Sequence, residues 1–148
     1  MKKFIASFCF ANREWSQPSI GHDDPDWKGF YFHEFVIDWS IFPPNSYGQL
    51  YVETMHVEIP SSEGKPAIRE GGEIRVAYQY KPHAMIPIEE SIIKTYIKTS
   101  ARWQLLSSEW FKIPSTPDVA CVWIEGKSEP GKNISLALAT LVIAEEVL

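Results

Sequence analysis

The residues best suited to chemistry lie in one short polar run, His22-Asp23-Asp24-Pro25-Asp26. Carboxylates this close together on a connection can present several oxygens to a hard cation, which is what calcium requires. Asp23, Asp24 and Asp26 are therefore read as a calcium-binding loop. Neither the spacing of an EF-hand nor its closing glutamate is present, so a cation there would need another arrangement. The competing expectation is that these acids simply face water. Trp15 and Trp27 bracket the loop. They are read as the recognition or interface platform, suited to a sugar ring or a partner surface, with buried packing as the alternative.

Other chemical patterns fail on their own requirements. Gly126-Lys127-Ser128-Glu129-Pro130-Gly131-Lys132 has the spacing of a phosphate-binding loop and follows an apolar run. That loop needs Ser or Thr after its lysine to hold magnesium, and Asn133 stands there. Pro130 also removes an amide from a loop whose purpose is to offer amides. A solvated hairpin turn is the expectation. His22, His33, His56 and His83 share no ligand spacing, and His33-Glu34 lacks the second histidine of a zinc-protease helix. There is no Gly-x-Ser-x-Gly elbow, and neither Cys9 nor Cys121 has a catalytic context. Glu89-Glu90 and Glu145-Glu146 are neighbours in sequence, so each pair diverges in direction. No catalytic residues are assigned, the chain is expected not to be an enzyme, and calcium is the sole cofactor considered.

At 148 residues the chain suits a single domain over 1–148. Folding a chain of that size buries about two thirds of its unfolded surface. The net charge of −5 and the absence of a basic cluster argue against a nucleic-acid surface. Two cysteines set in apolar runs suit small buried thiols, not a disulfide framework. Met1 to Ala11 imitates a secretory signal but is shorter than such signals, so it is read as a first strand. No run is long enough to span a membrane as a helix.

What must position these residues is mostly sheet. Tyr51, Met55, Val57 and Ile59 alternate with Thr54, His56 and Glu58, and Glu53 interrupts the apolar set. Ile74, Val76, Tyr78 and Tyr80 alternate with Arg75, Ala77 and Gln79. A period of two marks half-buried strands. Gly29 to Trp39 is dense in aromatics on both sides, as in a central strand. Trp103 to Ile113 suits one or two short strands. Val119 to Glu125 and Ile134 to Ala144 complete the set, the latter with Ile134, Leu136, Leu138, Thr140 and Val142 on one face; its Ala and Leu content also suits a helix, and strand is preferred because its surroundings are strand. Pro87, Glu89, Glu90, Lys94 and Lys98 carry the charge order of one short helix. The tally is seven or eight strands, hence an all-β, two-layer antiparallel β-sandwich or a barrel.

From Trp39 onward the chain resembles the jelly-roll coat proteins of small icosahedral positive-strand RNA viruses, the sobemo- and tombus-like group. The likeness rests on Val57-Glu58-Ile59-Pro60, then a polar loop and the Gly-led strand Gly72 to Tyr80. It continues through Lys81-Pro82 to Ile97, through Trp103 or Trp110 to Pro114, and into the two final strands. The resemblance implies a jelly-roll-like sandwich that assembles as a homo-oligomer with other capsid or surface proteins, located in the virion. It also implies acidic calcium sites between subunits, which adds interest to Asp23, Asp24 and Asp26. Such proteins commonly carry a basic amino-terminal arm for RNA. This chain has none, so direct nucleic-acid binding is not expected. The alternative expectation is a soluble, cytoplasmic binding module, lectin-like or receptor-binding, that uses the Trp15 and Trp27 loop.

Overall fold

The computed structural model describes residues 1–11, 19–20, 27–30, 34–58, 72–80, 93, 95–114, 119–127 and 132–148. Their strands are β1 (Lys2–Ala11), β2 (Ser19–Ile20), β3 (Lys28–Gly29), β4 (Phe35–Asp38), β5 (Ser46–Glu58) and β6 (Glu73–Tyr80). They continue with β7 (Ile97–Lys98), β8 (Gln104–Ser107), β9 (Phe111–Lys112), β10 (Val119–Lys127) and β11 (Lys132–Glu146). One sheet has the order β1-β11-β5-β8, with β2 also pairing β11 and β9 also pairing β5. The other has the order β3-β10-β6-β7, with β4 also pairing β10. Every pairing is antiparallel.

The order has a simple logic. β1 and β2 run along one side of β11, β3 and β4 along one side of β10, and β8 and β9 along one side of β5. Each of these three couples is one broken line, which leaves eight lines from eleven strands. The first line then lies beside the eighth, the second beside the seventh, the third beside the sixth and the fourth beside the fifth. This is a long hairpin rolled up on itself, the winding of a jelly roll. Rolling places apolar faces from both sheets against each other: Leu50, Val52, Leu136, Leu141 and Ile143 from one, Ile74, Val76, Val122 and Ile124 from the other.

Several local expectations hold and others need correction. The strand at 134–144 is present, and Ile74, Val76 and Tyr78 are buried as the alternation requires. In β5 the buried side is the opposite one: Leu50, Val52, Thr54 and His56 face inward, while Tyr51 and Met55 are only half-buried. Thr54 and His56 tolerate that position because they are hydrogen-bonded there: Thr54 Oγ1 donates to Ser135 O at 2.8 Å, and His56 Nδ1 lies 2.9 Å from Thr99 Oγ1. In β11 a register shift between Leu136 and Leu138 inserts Ala137, and the core side moves to Ala139, Leu141 and Ile143. An extra residue in one strand exchanges the two faces beyond it. Leu138, Thr140 and Val142 therefore point outward, against the single face expected.

Gly29 to Trp39 is not a central strand. It is the broken edge β3 and β4, with residues 31–33 outside the described set, and Val36 is 59% exposed. Trp39 ends it in a 3-10 turn, Trp39–Ile41, capped by Asp38, whose carboxylate accepts from Ser40 N. That turn is the only helix among the described residues. Of the helix expected up to Lys98, Thr95 and Tyr96 are irregular and Ile97–Lys98 is strand, and residues 81–92 and 94 lie outside the described residues. The presumed hairpin turn after Gly126 joins β10 and β11, which belong to different sheets, so it is a crossover.

The bulge makes a clear prediction for stability. Leu141→Ala removes a fully buried side chain and should cost about 2–5 kcal/mol, read from urea unfolding. Val142→Ala, the next residue and outward-facing, should cost about 1 kcal/mol or less. The reverse order would mean that β11 continues its alternation without the extra residue.

Candidate interaction surfaces

The outer face of the five-stranded sheet carries a buried charge pair. Arg75 on β6 and Glu125 on β10 are directly opposite in the register, and both point away from the core. Nε of Arg75 donates to Glu125 Oε1 at 2.8 Å, and its terminal nitrogen lies 2.7 Å from the same oxygen. Trp123 Nε1 donates to the other carboxylate oxygen at 3.1 Å. Trp27 covers the guanidinium, its ring centre 4.0 Å from the Arg75 central carbon, and Tyr96 tilts against Trp27 at 5.4 Å. The side chains of Arg75 and Glu125 are 9% and 8% exposed, so this outward pair is nearly as dry as the core.

The arrangement is a clamp. It ties the segment entering β3 and the segment entering β7 onto one sheet, through stacking and charge-assisted hydrogen bonds. Trp27, expected as a recognition platform, is half-buried here with one face on Arg75. Trp15 and the proposed calcium ligands Asp23, Asp24 and Asp26 lie outside the described residues. Among the described residues no group of three or more His, Cys, Asp or Glu could hold a metal ion. No helix among them is long and apolar enough to cross a membrane.

A second polar knot lies between the sheets. Thr99 N donates to Gly72 O at 2.8 Å, and Gly72 N donates to Thr99 Oγ1 at 2.8 Å. The next residue reaches the other sheet, with His56 N donating to Ser100 O at 2.8 Å. The chain thus crosses from the edge of one sheet to the edge of the other while satisfying both. Gly72 is required by space: a Cβ would meet Lys127 O at 2.5 Å and collide with Ile134. A third polar group joins β1 to β11. Glu146 accepts from Lys2, whose ammonium also sits over the Tyr47 and Trp110 rings at 4.9 and 5.4 Å. The Lys2 hydrogen bond, then the Met1 amino group, hold the Glu146 carboxyl below its ordinary value. Its contribution is therefore complete above the usual carboxylate range and fades as pH falls through the lowered value.

The remaining surface feature is a set of large apolar side chains along the sheet edges. Phe4 is 63% exposed on β1, Val36 59% on β4 and Leu105 65% on β8, with Trp103 and Tyr96 also exposed. Sequence reasoning had no way to single out Arg75 and Glu125. Each is one polar residue at an outward position, and only the register between strands far apart in sequence makes them a pair. No protein-family model matches the chain, and no curated protein matches it significantly.

The clamp can be tested by unbalancing it. Glu125→Gln leaves Arg75 buried without its counter-charge and should cost about 3–5 kcal/mol in urea unfolding. Replacing both, Arg75→Met with Glu125→Leu, should restore most of that loss. Equal loss in the single and double variants would argue against the ion pair as the source.

Proposed function

We propose that this chain is a structural self-assembly protein, a jelly-roll subunit of viral coat or capsid-surface type. The observation that supports it best is the state of the sheet edges. An open sheet edge offers unpaired backbone groups, and soluble monomers usually blunt it with charge, proline or a covering segment. Here the lines β1, β4 and β8 carry Phe4, Val36 and Leu105, each more than half exposed. Such edges suit burial against further copies in a closed, symmetric particle. The dry clamp and the knot between the sheets favour a rigid building block. The virion would be its location, neighbouring capsid or surface proteins its partners, and calcium at Asp23, Asp24 and Asp26 its one candidate ion. A jelly roll by itself serves many roles, so assembly has to be measured.

Light scattering after size exclusion, with negative-stain microscopy, is the direct test. Discrete large particles or a symmetric oligomer are expected. Trp103→Ser with Leu105→Lys should break them up while leaving the melting temperature almost unchanged, since both residues are exposed. A monomer at every concentration that binds a glycan array would instead favour the binding-module alternative.

A further inference from the structure

The outer face of the six-stranded sheet forms a grid whose centre carries no charge among the described residues. Its middle is the inward pair Leu141 and Leu50. The outward pairs beside it are Val142 with Gln49 and Thr140 with Tyr51. One row further out on either side come Ala144 with Tyr47 and Leu138 with Glu53. The flanking lines add Phe4 opposite Ala144, Lys112 opposite Tyr47 and Leu105 opposite Glu53. A sheet face left to water ordinarily turns polar residues outward. Here Leu138, Thr140 and Val142 are half-exposed, and Phe4 and Leu105 are exposed. The central polar groups are bonded within the chain: Tyr51 Oη donates to Gln49 Oε1 at 2.6 Å, and Gln49 Nε2 donates to Ser108 O at 2.9 Å. Covering them therefore leaves no orphaned donor. Charge stands at opposite ends of the grid, with Glu53 at one and Lys112 at the other. At the second end the Lys2 ammonium also lies over the Tyr47 ring.

From this we infer that two copies of the chain pack face to face on this surface. The two-fold axis lies in the interface, across the strands, at the level of Leu141 and Leu50. The inference rests on the self-assembly reading and adds a second contact to the sheet edges. Such an axis keeps each line over its own counterpart and reverses the order of the rows. Thr140 then lies over Val142 of the second copy, Tyr51 over Gln49, and Leu138 over Ala144 beside Phe4. Glu53 lands over Tyr47 of the second copy, where Lys2 crosses the ring and Lys112 stands one strand spacing away. Symmetry makes each of these contacts twice. A face whose opposite charges meet under its own two-fold suits a second copy, and the same charges fix the register. Four lines about 4.8 Å apart and four rows about 7 Å apart give about 500 Å² per copy, close to the 1,000 Å² total of a specific contact.

Charge exchange tests the arrangement, read as the dimer dissociation constant by sedimentation velocity in low salt. Glu53→Lys and Lys112→Glu, each folded by circular dichroism, should weaken the dimer about tenfold or more. Mixed together they should recover most of the loss, because in the mixed pair every Glu again faces a Lys. Thr140→Arg places a charge at the centre and should dissociate the dimer with its melting temperature almost unchanged. If Glu53→Lys fails to fold, Lys112→Glu and Thr140→Arg decide the matter. Wild-type assemblies matched by all folded variants, or single variants that gain nothing when mixed, would overturn this contact and leave self-assembly through the edges standing. A wild-type chain that stays monomeric would overturn both.

Discussion

The structure depends on the burial of one long strand between two others. β11 pairs with β1 on one side and β5 on the other over most of its length. Its inward side chains, from Ile134 to Ile143, are fully buried. A strand with backbone partners on both sides and apolar contact above is the hardest part of a sheet to expose. Its neighbours are the first and third lines of the chain, so the two ends of the sequence lie side by side. The other sheet then has no choice but to lie across it, because the Ile74, Val76, Val122 and Ile124 row needs cover.

Given that core, the polar groups sort by position. Those between the sheets, Thr54, His56, Thr99 and Gly72, are tied to one another or to backbone, which lets a dry seam contain them. Those on the outer face of the second sheet form the Arg75, Glu125 and Trp123 network beneath Trp27. Both devices hold connecting segments to sheets. This division, a tied interior with exposed apolar side chains on its edge strands, is what joins the fold to the assembly proposed for it.

Much of the strand inventory was legible in the sequence because period-two patterns at 74–80 and 119–125 depend only on residue type, whereas 134–144, rich in Ala and Leu, suited a helix as well. The faces were less legible, for two physical reasons. In β5 the inward positions near the end of the strand hold Thr54 and His56, whose partners come from remote segments, so hydropathy alone favours Tyr51 and Met55. In β11 the extra Ala137 exchanges the faces, and nothing in an Ala-rich alternation marks the place. Neighbour relations were hidden as well. Gly29 to Trp39 is greasy on both sides yet forms an edge, since Phe35, Ile37 and Trp39 pack inward while Val36 stays exposed. The clamp is visible only once β6 and β10 are adjacent.

The central claim is that β11 is sandwiched by β1 and β5 while β10 belongs to the opposite sheet. Cross-strand backbone proton contacts measured by nuclear magnetic resonance on the full chain address it most directly. The expected contacts join Leu141 to both Phe8 and Leu50, and Val122 to both Tyr78 and Phe35. A ladder of contacts running directly between β10 and β11, as in a hairpin, would contradict the rolled winding and everything built on it.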